Sequence, residues 1–157
     1  YGTTLTTGAN TTAGTIIGNW SLSSGSKLNA TYADLGEYYS ADSLYEPGTV
    51  LMFGGTAEVT VASADTTAVA GVVSTDPAQL MNGALVGANV VAVALRGRVP
   101  TMVYGPVKKG DGLVTHGTIA GCGVSIGTSP IYGQAVFAKS LVNDDSDGPR
   151  LIEAVIL

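Results

Sequence analysis

Two carboxylates in the first third of the chain have a spacing that could support acid–base chemistry. Asp34 and Glu37 stand three residues apart in the segment ADLGEYY, residues 33–39. If this segment is helical, the two side chains lie close to one face. Paired carboxylates can divide the roles of acid and base when their environments separate their pKa values. The alternative is a feature of a helix end or an interface, which is the more common role of such a pair.

A hydrolase triad in this chain would have to use one particular histidine. His116 is the single histidine, and a triad would need it beside a serine and a carboxylate. We interpret His116 as a loop histidine beside Gly117. Cys122 is the single cysteine, which excludes an intrachain disulfide and a cysteine zinc cage. Its glycine-rich surroundings, residues 121–127, do not follow the dinucleotide-binding fingerprint, and Cys122 is expected to be a small buried residue.

The polar turn NDDSDG near the C-terminus has a faint likeness to a calcium loop. Asn143, Asp145 and Asp147 alternate ahead of Gly148, where such a loop must turn. The bidentate glutamate of a calcium loop would fall on Ala154. A solvated hairpin turn is therefore the favoured interpretation, and no metal or cofactor is predicted.

The charge distribution restricts the expected partners. The chain has 12 acids and 7 bases, a net charge of −5, and between Leu28 and Leu95 it has acids but no base. Nucleic-acid binding needs clustered Lys and Arg that neutralise phosphates, so neither a nucleic acid nor an anionic membrane is expected as a partner. Arg96 and Arg98, together with the lysine turn at 108–109, are interpreted as solubility or inter-subunit pairing features.

The composition indicates β structure and self-association. Hydrophobic residues make up 45% of the chain and charged residues 12%, against roughly 25% charged in typical domains. With 22 Gly and 6 Pro, small apolar residues and frequent turns favour an all-β fold. So few surface charges suggest that part of the surface packs against copies of the same chain. No apolar run approaches the ~20 residues of a membrane span, and the start at Tyr1 indicates a fragment or processed product.

Two short helices are expected among the strands. Residues 32–39 could form one or two helical turns, although Gly36 weakens this prediction. Residues 76–83 carry helix signals, with Asp76 as N-cap and Gly83 as terminator.

Strands follow from alternation of apolar and polar residues and from turn signals. Alternation over Val90–Val99 places Val91, Val93, Leu95 and Val99 on one face of a strand, and Ala92, Ala94, Arg96 and Arg98 on the other. Strands are predicted at 49–53, 58–62, 69–74, 90–99, 101–104, 113–115, 124–126, 134–138 and 151–156. The expected fold is a compact barrel or sandwich of short antiparallel strands.

The N-terminal region differs from the rest of the chain. Residues 1–31 are rich in Gly, Thr and Ser and cannot bury enough apolar area to fold alone. Trp20 and Leu22 alternate with polar residues, which favours a strand-rich fibre shaft over a flexible linker. We therefore expect a shaft or linker over 1–31 and a globular β domain over 32–157.

Four segments of the chain resemble a known family. Residues 31–39, 45–50, 70–77 and 105–111 look like the C-terminal domain of bacteriophage tail-fibre and related virion structural proteins, most closely those of T4-like cyanophages. The likeness runs from about Gly18 to the C-terminus.

This resemblance implies a non-enzymatic virion domain at the tip of a tail fibre or similar appendage. Its partners would be two further copies in a homotrimer, other virion or tail proteins, and a host-surface receptor for which a glycan is one candidate. Aromatic and apolar side chains are expected around the trimer axis. The candidate seam residues are Trp20, Leu22, Leu35, Tyr38 and Tyr39.

A more distant likeness gives an alternative function. Intramolecular chaperone domains of phage tailspikes share an Ala-Asp-x-x-Glu-Tyr start and a Gly-Val-Val-Ser-x-x-Pro segment, which here correspond to residues 33–38 and 71–77. Some members of that group trimerise a fibre and then cut themselves off. Asp34 and Ser74 would be candidates for this cleavage only if the fold brings them together. A third option is a monomeric β-barrel ligand binder or hydrolase.

Overall fold

The computed structural model describes residues 19, 21–26, 33–128 and 133–157, and these residues form an all-β fold. No helix occurs among them, and so none that could cross a membrane. The ten strands are β1 Asp34–Ser40, β2 Val50–Phe53, β3 Val59–Val61, β4 Val69–Val73, β5 Gln79–Met81, β6 Val90–Tyr104, β7 Gly112–Thr115, β8 Gly123–Ser125, β9 Ala138–Ser140 and β10 Pro149–Ile156.

The C-terminal half of β6 belongs to a closed five-stranded barrel. Its strands pair in the ring β6, β10, β9, β7, β8 and back to β6, where Val103 lies beside Gly123. Val99, Val103, Leu113 and Ile152 are among its buried core residues. Because the ring closes, these strands leave few unpaired edges.

The N-terminal half of β6 organises a second group of strands, which we call the β1–β5 lobe. β1 pairs with β6, β6 with β4, β4 with β2, and β2 with β3. A bridge between Ala41 and Val59 brings β3 back to the end of β1. β5 runs parallel to β1 on its outer side. Leu51, Val59 and Val93 belong to the buried cluster of this lobe.

The central strands of this lobe are buried on both faces. Val50, Val72 and Ala94 belong to the cluster shared with the barrel. Their chain neighbours Leu51, Val73 and Val93 belong to the cluster of the β1–β5 lobe. This double burial explains why the strands are near-continuous runs of small apolar residues.

A β-bulge at Leu95 exchanges the two faces of β6. Leu35 lies opposite Arg96, whereas the next residue, Gly36, lies opposite Ala94. The extra residue places Val93 and Val99 on opposite faces of the strand. The predicted single alternation from Val91 to Val99 is therefore wrong, and the bulge lets one strand line two separate cores.

The all-β prediction is confirmed, and most predicted strands lie within a residue or two of the observed ones. Both predicted helices are wrong. Residues 34–40 form β1, and residues 79–81 of the second predicted helix form β5. The strand predicted at 134–138 begins only at Ala138.

Pro100 does not divide β6, although two strands were predicted there. Pro100 lies opposite Glu153 of β10. On the edge of β6 that faces away from β10, the N–H of Met102 donates to the carbonyl of Gly48 at 2.8 Å. Since the neighbour on this edge is a turn, the missing N–H of proline costs no bond between strands.

Candidate functional site

The two segments that carry the chaperone-like resemblance meet in the fold. After β4, residues 74–78 lead towards β5 and β1. The N–H of Ala78 donates to the carbonyl of Asp34 at 2.9 Å. Pro77 lies over Gly36, where a Cβ atom would come within 2.8 Å of the proline Cγ. Only glycine leaves room for this contact, so Gly36 and Pro77 fit each other as a pair.

Asp34 and Ser74 are buried in this region but do not form a catalytic pair. They are 6% and 7% exposed. Among the described residues, Asp34 Oδ2 and Ser74 Oγ have no hydrogen-bond partner. Asp34 pairs with Gly97, whereas the N–H of Ser74 donates to Ala92. These positions lie roughly 15 Å apart along β6, so the structure does not bring the two cleavage candidates together.

The predicted carboxylate pair is also separated. Because β1 is a strand, residues an odd number of positions apart point to opposite faces. Asp34 therefore faces away from Glu37. Glu37 instead accepts a hydrogen bond from the hydroxyl of Tyr39 at 2.9 Å. Burial, followed by this hydrogen bond, raises the pKa of Tyr39 to about 12.

An apolar patch lies on the outer face of β1. Tyr38, Leu85, Val86 and Val90 line a cavity of about 290 Å³, and Leu80 of β5 shares this face through its pairing with Gly36. Val86 is 88% exposed and Leu80 37%. We call Tyr38, Leu80, Leu85, Val86 and Val90 the apolar patch.

A side-chain amide holds the loop of the apolar patch. Asn82 donates from Nδ2 to the carbonyl of Tyr38 at 3.0 Å, and it has a positive φ of 55°, a conformation that asparagine tolerates better than most residues. The patch is therefore built from residues of β1, β5 and β6 and from one anchored loop.

The structure separates the candidate seam residues. Tyr38 lies on the apolar patch, whereas Tyr39 packs against the core of the β1–β5 lobe with its ring 5.8 Å from that of Phe53. Leu35 is half-buried on the same face as Tyr39. Leu22 is 56% exposed in the 21–26 segment, and Trp20 lies outside the described residues. Their role in a trimer stays a prediction.

Carboxylates near the end of β1 are held by hydroxyl groups, which sequence reasoning missed. Asp42 accepts hydrogen bonds from Tyr45 and from Thr60, the latter at 2.7 Å. Glu58 Oε2 accepts from both the N–H and the hydroxyl of Ser40, each at 2.8 Å. These bonds lower the pKa of Asp42 and of Glu58. The partners Ser40–Glu58 and Asp42–Thr60 are 18 residues apart, so no local motif indicated them.

The oxygens of the polar turn bind neighbouring protein groups. Asn143 Oδ1 accepts the N–H of Lys109 at 2.9 Å, and Asp145 forms an ion pair with Lys108. Asp144, which the calcium pattern skipped, pairs with Arg150 at 2.8 Å. Hydrogen bonds within the turn and the bond from Arg150 lower the pKa of Asp144 to about 2. In the described ranges no group of three acidic, histidine or cysteine side chains could hold a metal ion.

His116 and Cys122 have structural surroundings. His116 Nδ1 accepts the N–H groups of Thr118 and Ile119, each at 3.1 Å, and its ring meets Tyr104 edge-on. Cys122 is buried, as predicted, and burial raises the pKa of its thiol. The histidine therefore fixes a turn, and the thiol is not activated as a nucleophile.

Comparison with known proteins gave no family model that matches the sequence and no curated protein that matches it.

Proposed function

We propose that this chain is a non-enzymatic virion domain that forms a homotrimer at the tip of a phage tail fibre and takes part in attachment to the host surface. The apolar patch is the observation that carries the trimer proposal. It presents Leu80 and Val86 to solvent beside the half-buried Tyr38. Exposed apolar side chains that cluster on one surface commonly mark protein–protein contacts.

In the proposed homotrimer the patch would lie at the three-fold axis. Tyr38 stands on β1, within the segment that carries the family resemblance, and a ring from each copy can pack around an axis. The low charge of the chain, 12% of residues, supports association between copies. The attachment part of the proposal rests on the resemblance.

A charged residue in the patch tests the trimer proposal. We expect Val86→Asp to raise the dissociation constant of the trimer at least tenfold, or about 1.4 kcal/mol, because the carboxylate would be desolvated against the neighbouring copies. Val86 is almost fully exposed, so the fold should be preserved. Light scattering over a concentration series measures the change.

Leu44→Asp provides the matched control. Leu44 is 67% exposed but does not line the patch cavity, so this variant should assemble like the parent. Equal weakening by both variants, or by neither, would argue against the patch as the trimer contact. Labelled parent protein should also bind host cells more strongly than Val86→Asp, since three linked sites increase avidity.

A further inference from the structure

The two halves of the molecule differ sharply in charge. Residues 33–95 carry seven acids and no base, a net charge of −7. Residues 96–157 carry six bases and five acids, a net charge of +1. The boundary falls at the bulge of β6, so the charged residues from 33 up to the bulge are all acids, and the cations of the described residues lie beyond it, from Arg96 opposite β1 onward. A charge split of this kind favours contact between unlike halves of neighbouring molecules.

Cations form a row on the outer wall of the barrel. Arg98 of β6 and Lys139 of β9 both lie opposite Val155 of β10. Directly opposed residues point to the same side of a sheet, so the two cations flank one valine, and exposed Arg96 extends the row along β6. Glu153 shares this wall, but it forms no ion pair within the described ranges, and neither do the three cations. We call Arg96, Arg98 and Lys139 the cationic row.

The acidic side of the molecule offers fixed, charged acceptors. Asp42 and Glu58 are both exposed, and both are held by neutral hydroxyl and N–H donors rather than by cations. Their negative charge is therefore oriented but not compensated within the described residues. Phe53, which is 49% exposed, lies at the same end of the lobe beside Tyr39. An arginine placed here could combine ion pairing with a cation–π contact.

We propose that the cationic row of one copy binds the carboxylate–aromatic end of the β1–β5 lobe, Asp42, Phe53 and Glu58, of a second copy of this chain. The inference rests on the proposed homotrimer and names the surfaces that join its neighbours. The contact uses different surfaces on the two partners. Such a head-to-tail contact can close into a ring, which leaves the apolar patches free to meet around the axis.

Charge reversal with rescue tests this contact. The full chain is compared with Arg98→Glu, with Glu58→Lys and with the double variant that carries both changes. Each single variant should raise the dissociation constant of the trimer at least tenfold, and the double variant should recover most of that loss because the pair is restored with inverted sign. Sedimentation at two salt concentrations should also show weaker assembly at high ionic strength.

The control variant is Lys109→Glu, which makes the same charge change at an exposed lysine outside the row. It should assemble like the parent protein, and circular dichroism should report an unchanged fold for every variant. The proposed contact is wrong if the parent protein is a trimer and neither charge reversal weakens it. It is also wrong if the double variant assembles no better than the single variants. Either result would leave the proposed trimer intact. A parent protein that stays monomeric would overturn both the contact and the proposed function.

Discussion

Tyr38 and Tyr39 are adjacent in the chain, but β1 directs their rings to opposite faces. Tyr39 packs against a buried core and donates to Glu37, whereas Tyr38 stands on the apolar patch. A helix would have placed Leu35, Tyr38 and Tyr39 near one side. The change from helix to strand therefore reduces the role of Tyr39 in the predicted seam and leaves Tyr38 as the stronger candidate.

The hydrogen bonds that Asp144 accepts from Ser146, together with its pairing with Arg150, predict a specific loss of stability in acid. The pKa of Asp144 is about 2 in the folded protein, below its ordinary value of 3.8. A lowered pKa gives stability that is complete above the unfolded pKa and is lost as pH falls through the folded one. Between pH 4 and pH 2 the urea midpoint should therefore fall less in Asp144→Asn than in the parent protein.

Asp147→Asn is the control for that experiment, because Asp147 is an exposed carboxylate of the same turn. It should retain the acid sensitivity of the parent protein. An identical fall in the urea midpoint for the parent protein and Asp144→Asn would show that the Asp144 carboxylate does not contribute to the acid dependence.

Long-range side-chain partners could not be predicted from the sequence. The Asp, Asn and Gly content of residues 143–148 predicted a solvated hairpin turn, and these residues do connect the antiparallel strands β9 and β10. The hydrogen bonds of Asp42 with Thr60 and of Glu58 with Ser40 depend instead on β3 meeting the end of β1. No local sequence pattern encodes the contact between β3 and the end of β1, so the hydrogen bonds of these carboxylates could not be predicted.

At the scale of elements, alternation and turn residues predicted most strands correctly, whereas local helix signals predicted two helices where the structure has strands. Residues 76–83 combine an N-cap, a proline and a terminal glycine, but Pro77 contacts Gly36 and the following residues pair with β1. The bulge at Leu95 was missed for a related reason. The bulge depends on the pairing register between β1 and β6. The alternation of residues within one strand does not reveal that register.

Gly97, which lies two residues after the bulge at Leu95, should be essential for the pairing register between β1 and β6. Gly97 has a φ of +108°, and a Cβ there would lie 2.3 Å from the carbonyl oxygen of Ala33. Gly97→Ala should therefore destabilise the domain by about 3 kcal/mol through backbone strain and the displaced strand, as measured by urea unfolding.

Gly83→Ala is the matched control, since nothing lies within 4 Å of a Cβ built at Gly83 and its φ is not positive. Its effect should stay within about 0.5 kcal/mol. If Gly97→Ala were as mild as Gly83→Ala, the close approach of β1 to β6 would not be a constraint on this fold.

At the scale of the whole molecule, β6 joins two bodies with different surfaces. Its C-terminal half closes a barrel that carries the cationic row, and its N-terminal half supports a lobe with acids and no base. The charge run is visible in the sequence, but the structural reason for it is not. The fold supplies a location for each sign of charge, and we propose that the assembled trimer brings the two together.

The mass of the full chain in solution tests the central proposal most directly. Light scattering at physiological salt should give a particle of three times the 15.7 kDa chain mass. The trimer should persist on dilution and should weaken at high salt. A single species of 15.7 kDa across the concentration series would contradict the proposed fibre-tip function.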